Sequence, residues 1–122
     1  MDSDATVDAL KGLVRAFCEE RDWDQYHNAK DLAIGVVTEG SELLDQFRFR
    51  SPAEVDAMFT DAAKRDAITE EMSDVLFFLL RMAQMYDIDL SKQLKRKIEI
   101  NAQKYPISLA KGSNRKYSEE ER

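Results

Sequence analysis

The sequence predicts an all-α fold, a four-helix-bundle-like arrangement that is oligomeric. Three observations carry that expectation. Only two prolines, Pro52 and Pro106, and four glycines interrupt the 122 residues. Apolar residues recur at three- and four-residue spacing, and no alternating stretch is long enough for a strand. The joints between the periodic stretches are short, as between neighbouring helices of a bundle. These helices are long for so small a chain and their apolar faces are broad, so self-association is expected.

The first helix is expected over residues 6–21. Thr6 is its N-cap, and Val7, Leu10, Leu13 or Val14, and Phe17 mark its apolar face. A polar joint, residues 22–28, leads to a second helix over 29–49. Ser51-Pro52-Ala53-Glu54 reads as a fresh cap with proline at the first helical position, opening a short segment. The third and most apolar helix covers 62–86. Residues 87–90 form a turn in which Asp89 caps a fourth helix reaching Lys104. Tyr105-Pro106 ends it, because the residue before proline is pushed out of helical geometry. A polar, extended tail follows.

Composition narrows the function. One domain, residues 1–122, is expected, with a helical core over about 6–105 and a basic tail over 106–122. A chain of this length buries roughly two-thirds of its unfolded surface, enough for a core without disulfide staples. Its single cysteine, Cys18, excludes an internal disulfide and a Cys-based zinc site. The longest apolar run, Val75 to Leu80, stops at Arg81, far short of the ~20 residues that span a bilayer. Met1-Asp2-Ser3-Asp4 is acidic and no apolar block follows, so no secretory signal is read and a cytoplasmic location is expected. Charge is uneven: residues 1–91 hold 20 acids and 9 bases, whereas 92–122 hold 4 acids and 9 bases. A net charge of −6 with one basic end suits a small phosphorylated ligand better than a nucleic acid polymer, whose binding needs many phosphate contacts.

Four acids lie on faces that should be apolar. With 100° per residue and Glu71 at zero, Ala67, Ile68, Val75, Phe78, Met82 and Met85 fall within about 60°, and so does Asp74. On the second helix Glu39 and Glu42 share a face with Leu32, Gly35, Val36 and Leu43. Residues three apart are neighbours on a helix, so each pair offers two carboxylates to one point. Burying an ionised carboxylate is costly unless it is paired or bound to a metal. A lone Glu-x-x-Glu is a common solvated face, but two such pairs on adjacent apolar faces predict a four-carboxylate cluster. All-oxygen ligands suit Mg²⁺ or Mn²⁺ and disfavour structural zinc. A di-iron bundle would need Glu-x-x-His pairs, and the only histidine is His27, in the first joint.

Lys97, Asn101 and Lys104, at i, i+4 and i+7, lie within about 40° of one line on the fourth helix. They read either as an ordinary polar face or as donors to phosphate oxygens. Lys111, Ser113, Asn114, Arg115 and Lys116 surround Gly112 in a basic loop. Trp23, Tyr26 and Phe49 are more often core than ligand contacts, although an aromatic plane is what a base stacks on.

Four motifs in order carry a family resemblance. Glu39-Gly40-Ser41-Glu42 and Glu71-Met72-Ser73-Asp74, separated by 28 residues, resemble the Glu-x-x-Glu, Glu-x-x-Asp signature of the MazG-like, all-α nucleotide pyrophosphohydrolases. Arg21-Asp22-Trp23-Asp24-Gln25-Tyr26-His27 resembles the Trp-x-x-Phe-His entry of the dCTP pyrophosphatase branch. Lys97 through Pro106 is similar to its Lys-x-x-x-Asn-x-x-Arg-Tyr-Pro exit. Ser113-Asn114-Arg115-Lys116-Tyr117 resembles its terminal Ser-Ser-Arg-Lys-Tyr. The resemblance spans about residues 10–118. It implies a MazG-type fold in a homotetramer, a dimer of dimers with sites between subunits. It implies that Glu39, Glu42, Glu71 and Asp74 hold Mg²⁺, that Lys97, Asn101, Lys104, Arg115 and Lys116 contact the triphosphate, and that Trp23, His27, Phe49 and Phe78 lie near the nucleoside. The chain departs from that branch at Phe49, where tryptophan is usual, at Phe78, where tyrosine is usual, and at Val14, where histidine is common.

The implied reaction converts a nucleoside triphosphate and water to the monophosphate and diphosphate, with Glu39 or Glu42 accepting the proton of the attacking water. Alternatives from the sequence are a non-catalytic helical adaptor and a dUTPase-like or phosphoribosyl-ATP pyrophosphohydrolase.

Overall fold

Helix starts in this chain are fixed by short polar side chains. Thr6 Oγ1 accepts from the Ala9 amide at 3.1 Å, Asn28 Oδ1 from Asp31 at 3.0 Å, Asp61 Oδ1 from Lys64 at 3.1 Å and Asp89 Oδ1 from Lys92 at 2.9 Å. Ser51 forms a reciprocal pair with Glu54: its hydroxyl accepts from the Glu54 amide at 3.2 Å, and the Glu54 carboxylate accepts from the Ser51 amide at 3.3 Å. Each bond satisfies an amide that the helix itself leaves free.

The helices that result, in a computed structural model describing residues 1–119, are α1 (Val7–Glu20), α2 (Ala29–Phe47), α3 (Pro52–Met58), α4 (Ala62–Met85), α5 (Leu90–Lys104) and α6 (Ile107–Ala110). Single 3₁₀ turns occupy Asp24–Tyr26 and Tyr117–Glu119, and no described residue is in a strand. The expected all-α class stands, with two local corrections. The second helix ends at Phe47 rather than 49, because Arg48 turns extended and Phe49 takes a left-handed backbone at φ 61°. The tail is not uniformly extended: it holds α6 and the second 3₁₀ turn, joined through Gly112 at φ 78°. Its last three residues lie outside the described residues.

Two compact units form, Met1–Ile88 and the segment from Asp89 onward. In the first, α4 packs against α2 and against α1. The pairing of α2 with α4 is antiparallel. The Ala29 amide donates to the Tyr86 hydroxyl at 2.8 Å, Gly35 faces Phe78, and Glu39 faces Glu71, so one number rises as the other falls. The core comprises Val14, Cys18, Leu32, Met58, Ile68, Leu80 and Ala83. In the second unit no residue of α5 is buried, and the Tyr105 and Tyr117 rings meet edge-on at 6.2 Å. No helix among the described residues is long and apolar enough to cross a membrane.

Gly35 permits the α2–α4 approach. A Cβ there would stand 2.5 Å from Phe78 Cδ1 and 2.8 Å from its Cγ, so the ring would have to move. Alanine normally gains up to about 1 kcal/mol over a mid-helix glycine. Overpacking costs about 1–3 kcal/mol, so Gly35→Ala is expected to lower the melting temperature. A variant that melts higher than wild type would contradict the contact.

Candidate functional site

The antiparallel register brings acids of α2 and α4 together. Glu39, Glu42 and Glu71 each offer a carboxylate oxygen, and the three oxygens lie within 4.8 Å of one another. Glu39 and Glu71 are half-buried and Glu42 is exposed. One oxygen of Glu39 and one of Glu71 are buried with no hydrogen-bond partner among the described residues. Buried carboxylate oxygens are rarely left unpaired. Asp74 is exposed and stands outside that three-oxygen group, yet close enough for its charge to act on both Glu39 and Glu71.

Crowding of like charges sets the protonation state. Glu39 is pushed up to about 7, first by a hydrogen bond with Glu42, then by burial and by the charges of Glu42, Asp74 and Glu71. Glu71 is raised chiefly by burial, then by Glu42. Two carboxyl groups sharing a site cannot both ionise freely. A hard divalent cation relieves this arrangement, since it takes oxygen ligands and accepts carboxylates that repel one another. The donor set therefore fits such an ion, and it offers no nitrogen or sulfur ligand.

An aromatic wall begins one turn beyond the acids. Phe78, four residues after Asp74, lies on Gly35. Edge contacts then link Phe78 to Phe77 at 5.6 Å, Phe77 to Phe17 at 5.8 Å, Phe17 to Trp23 at 5.6 Å and Trp23 to His27 at 6.2 Å. Three of the four residues expected near a nucleoside, Trp23, His27 and Phe78, thus belong to one cluster. Phe49 does not join it: its ring is 93% exposed, with the Arg48 guanidinium 4.7 Å above it. The expectation that Trp23, Tyr26 and Phe49 are core is corrected, for they are 37%, 66% and 93% exposed. Joint and loop backbone carries them, and the helix interface buries none of them.

The expected phosphate donors lie in the second unit. Lys97 and Asn101 are exposed along α5. Lys104 is half-buried, its ammonium 5.2 Å over the Tyr117 ring. Arg115 donates from its amide and from Nε to Ser113 Oγ at 3.3 and 3.4 Å. Sequence reading missed Arg81, which is buried on α4 and bonded to Asp24, His27 and Gln84. The signal available was a lone cation inside the apolar run Leu79-Leu80-Arg81-Met82-Ala83.

The sequence model of the MazG-like family matches residues 35–119. The dCTP pyrophosphatase 1 proteins of Rattus norvegicus and Homo sapiens are each 35% identical to this chain over 114 residues, covering 93% of it and 67% of the relative. The crystal structure of a pyrophosphatase from Archaeoglobus fulgidus DSM 4304 superposes with a TM-score of 0.75 at 34% identity, covering 81% of this chain and 91% of that one.

Proposed function

The chain belongs to the MazG-like family, and on that premise we propose that it is a nucleoside triphosphate pyrophosphohydrolase, with dCTP the first candidate substrate and Mg²⁺ the metal, replaceable by Mn²⁺. The carrying observation is the cluster of Glu39, Glu42 and Glu71, in which one buried oxygen of Glu39 and one of Glu71 have no hydrogen-bond partner among the described residues.

Glu39, Glu42, Glu71 and Asp74 are the residues that would hold Mg²⁺. When bound, the ion supplies charge neutralisation on the phosphates and a lowered pKa for the attacking water. The protein's own groups do the rest. Glu39 or Glu42 takes the proton of that water as it attacks. Lys97, Asn101 and Lys104, with Arg115 and Lys116 of the tail, hold the triphosphate and offset the charge that builds on departing diphosphate. Trp23, His27, Phe49 and Phe78 face the nucleoside. Phenylalanine at 78 brings no hydroxyl to the base, and a pocket poor in polar partners discriminates weakly between bases.

The test is a panel of NTPs and dNTPs with Mg²⁺, dUTP and phosphoribosyl-ATP included, scored for diphosphate against orthophosphate. Diphosphate with the monophosphate is expected, dCTP ranking first. Orthophosphate as the primary product overturns the proposed bond cleavage.

The assembly proposed is a homotetramer, a dimer of dimers. Supporting it, Ile34, Val37 and Leu44 of α2 and Met72, Leu76 and Leu79 of α4 are 43–69% exposed. Open grooves of about 350 and 370 Å³ lie on these faces, lined by residues such as Ile34 and Val37, and Met72 and Leu76. Apolar patches of this kind are covered in stable proteins. Light scattering should return four chains for the wild type and fewer for Val37→Lys. A wild-type monomer would refute the assembly.

A further inference from the structure

The mechanism leaves one buried charge unused. Arg81 is 1% exposed. It donates from Nε to His27 Nδ1 at 2.9 Å, from Nη1 to the Gln84 side-chain carbonyl and from Nη2 to the Asp24 carboxylate. A buried cation is tolerated only where its donors are met, and removing a partner is strongly destabilising. Asp24 and His27 both belong to the joint between α1 and α2, so Arg81 ties that joint to α4.

The same bonds decide the chemistry of His27. A guanidinium has donors and no acceptor. His27 Nδ1 must therefore accept, and the proton of the neutral ring resides on Nε2. Burial, and then the Arg81 charge, lower the ring's affinity for a second proton, with Asp24 and Asp31 opposing them. No described residue hydrogen-bonds Nε2. The ring stands 6.2 Å from Trp23, whose plane is 37% exposed and closes the aromatic wall that starts beside the carboxylates.

We propose that Arg81 is a positioning residue for the nucleotide: by bonding Nδ1 it holds His27 as the Nε2–H tautomer, a single fixed donor beside the Trp23 plane that reads an acceptor atom on the base. The inference rests on the pyrophosphohydrolase reading and adds to it how the base side of the site is organised. Stacking on Trp23 is sequence-tolerant, because every base has a π-face. A donor that cannot switch to an acceptor adds the selectivity that stacking lacks.

His27 is the only histidine, so its imidazole resonances are identified without assignment. Two-bond ¹H–¹⁵N correlation spectra of the full chain without nucleotide should show Nε2 protonated and Nδ1 bare. In Arg81→Met the spectrum should relax to a mixture of tautomers, and KM for dCTP should rise about tenfold, more than kcat falls, as for one lost well-placed hydrogen bond. Arg81→Lys, still a donor-only cation, should restore the tautomer and most of KM. The proposal is overturned by a wild type protonated on Nδ1, by Arg81→Met retaining the wild-type tautomer, or by a relaxed tautomer with KM unchanged. If the methionine variant does not fold, the wild-type spectrum and the lysine variant decide. The spectrum needs no turnover, so it judges Arg81's hold on His27 separately from diphosphate release by the wild type.

Discussion

Glu71→Ala is expected to lose diphosphate release by about 10³-fold or more while keeping its far-ultraviolet helix signal. Glu71 contributes one of three clustered oxygens, and one of its oxygens is buried with no hydrogen-bond partner among the described residues. Removing it takes away one of the proposed cation ligands and leaves the buried apolar residues Leu32 of α2 and Ile68 and Leu80 of α4 in place. It also removes a charge that acts on Glu39. The metal-free variant should therefore melt higher than metal-free wild type, and Mg²⁺ should raise its melting temperature less. Glu70→Ala, one residue away on the exposed face, separates a local effect from a change in net charge and should turn over as wild type does. Normal hydrolysis by Glu71→Ala with Mg²⁺ would place the chemistry elsewhere.

Metal removal and pH should act on the same acids. Glu39 titrates at about 7 against an ordinary 4.5, and Glu71 is shifted in the same direction. A carboxyl whose folded pKa is raised binds protons more tightly folded than unfolded. Stability then falls as pH rises from the unfolded pKa through the folded one. The metal-free protein should lose melting temperature between about pH 4.5 and about pH 7 and level off above. A divalent cation binds the deprotonated cluster, so its affinity should grow across the same window. At neutral pH and Mg²⁺ a hundredfold above its Kd, linkage stabilises the fold by about 2.7 kcal/mol. Paired melting curves in EDTA and Mg²⁺ check both signs. A gap between the two curves that narrows as pH rises would exclude this cluster as the binding site.

Much of this was legible from local rules. The phase of each helix follows from 100° per residue, so Glu39 with Glu42, and Glu71 with Asp74, could be assigned to shared faces before any packing was known. The caps at Thr6, Ser51 and Asp89 were equally readable, because each bond spans three residues. The end of α2 was not. Its break is set by a left-handed Phe49, where the usual glycine signal is missing.

Residue order along each segment was enough to say which side chains could face inward: the helix class, the apolar faces and the acids set into them. Which of those groups meet came from the packing of one helix on another. It joined Glu39, Glu42 and Glu71 while leaving Asp74 exposed, turned Trp23 and Phe49 outward, and buried Arg81 against Asp24 and His27. Rotational phase accumulates along one chain segment and needs no partner. The register of α2 on α4 is set by contacts between residues far apart in sequence, such as Phe78 on Gly35, and the convergence of charged groups follows from that register.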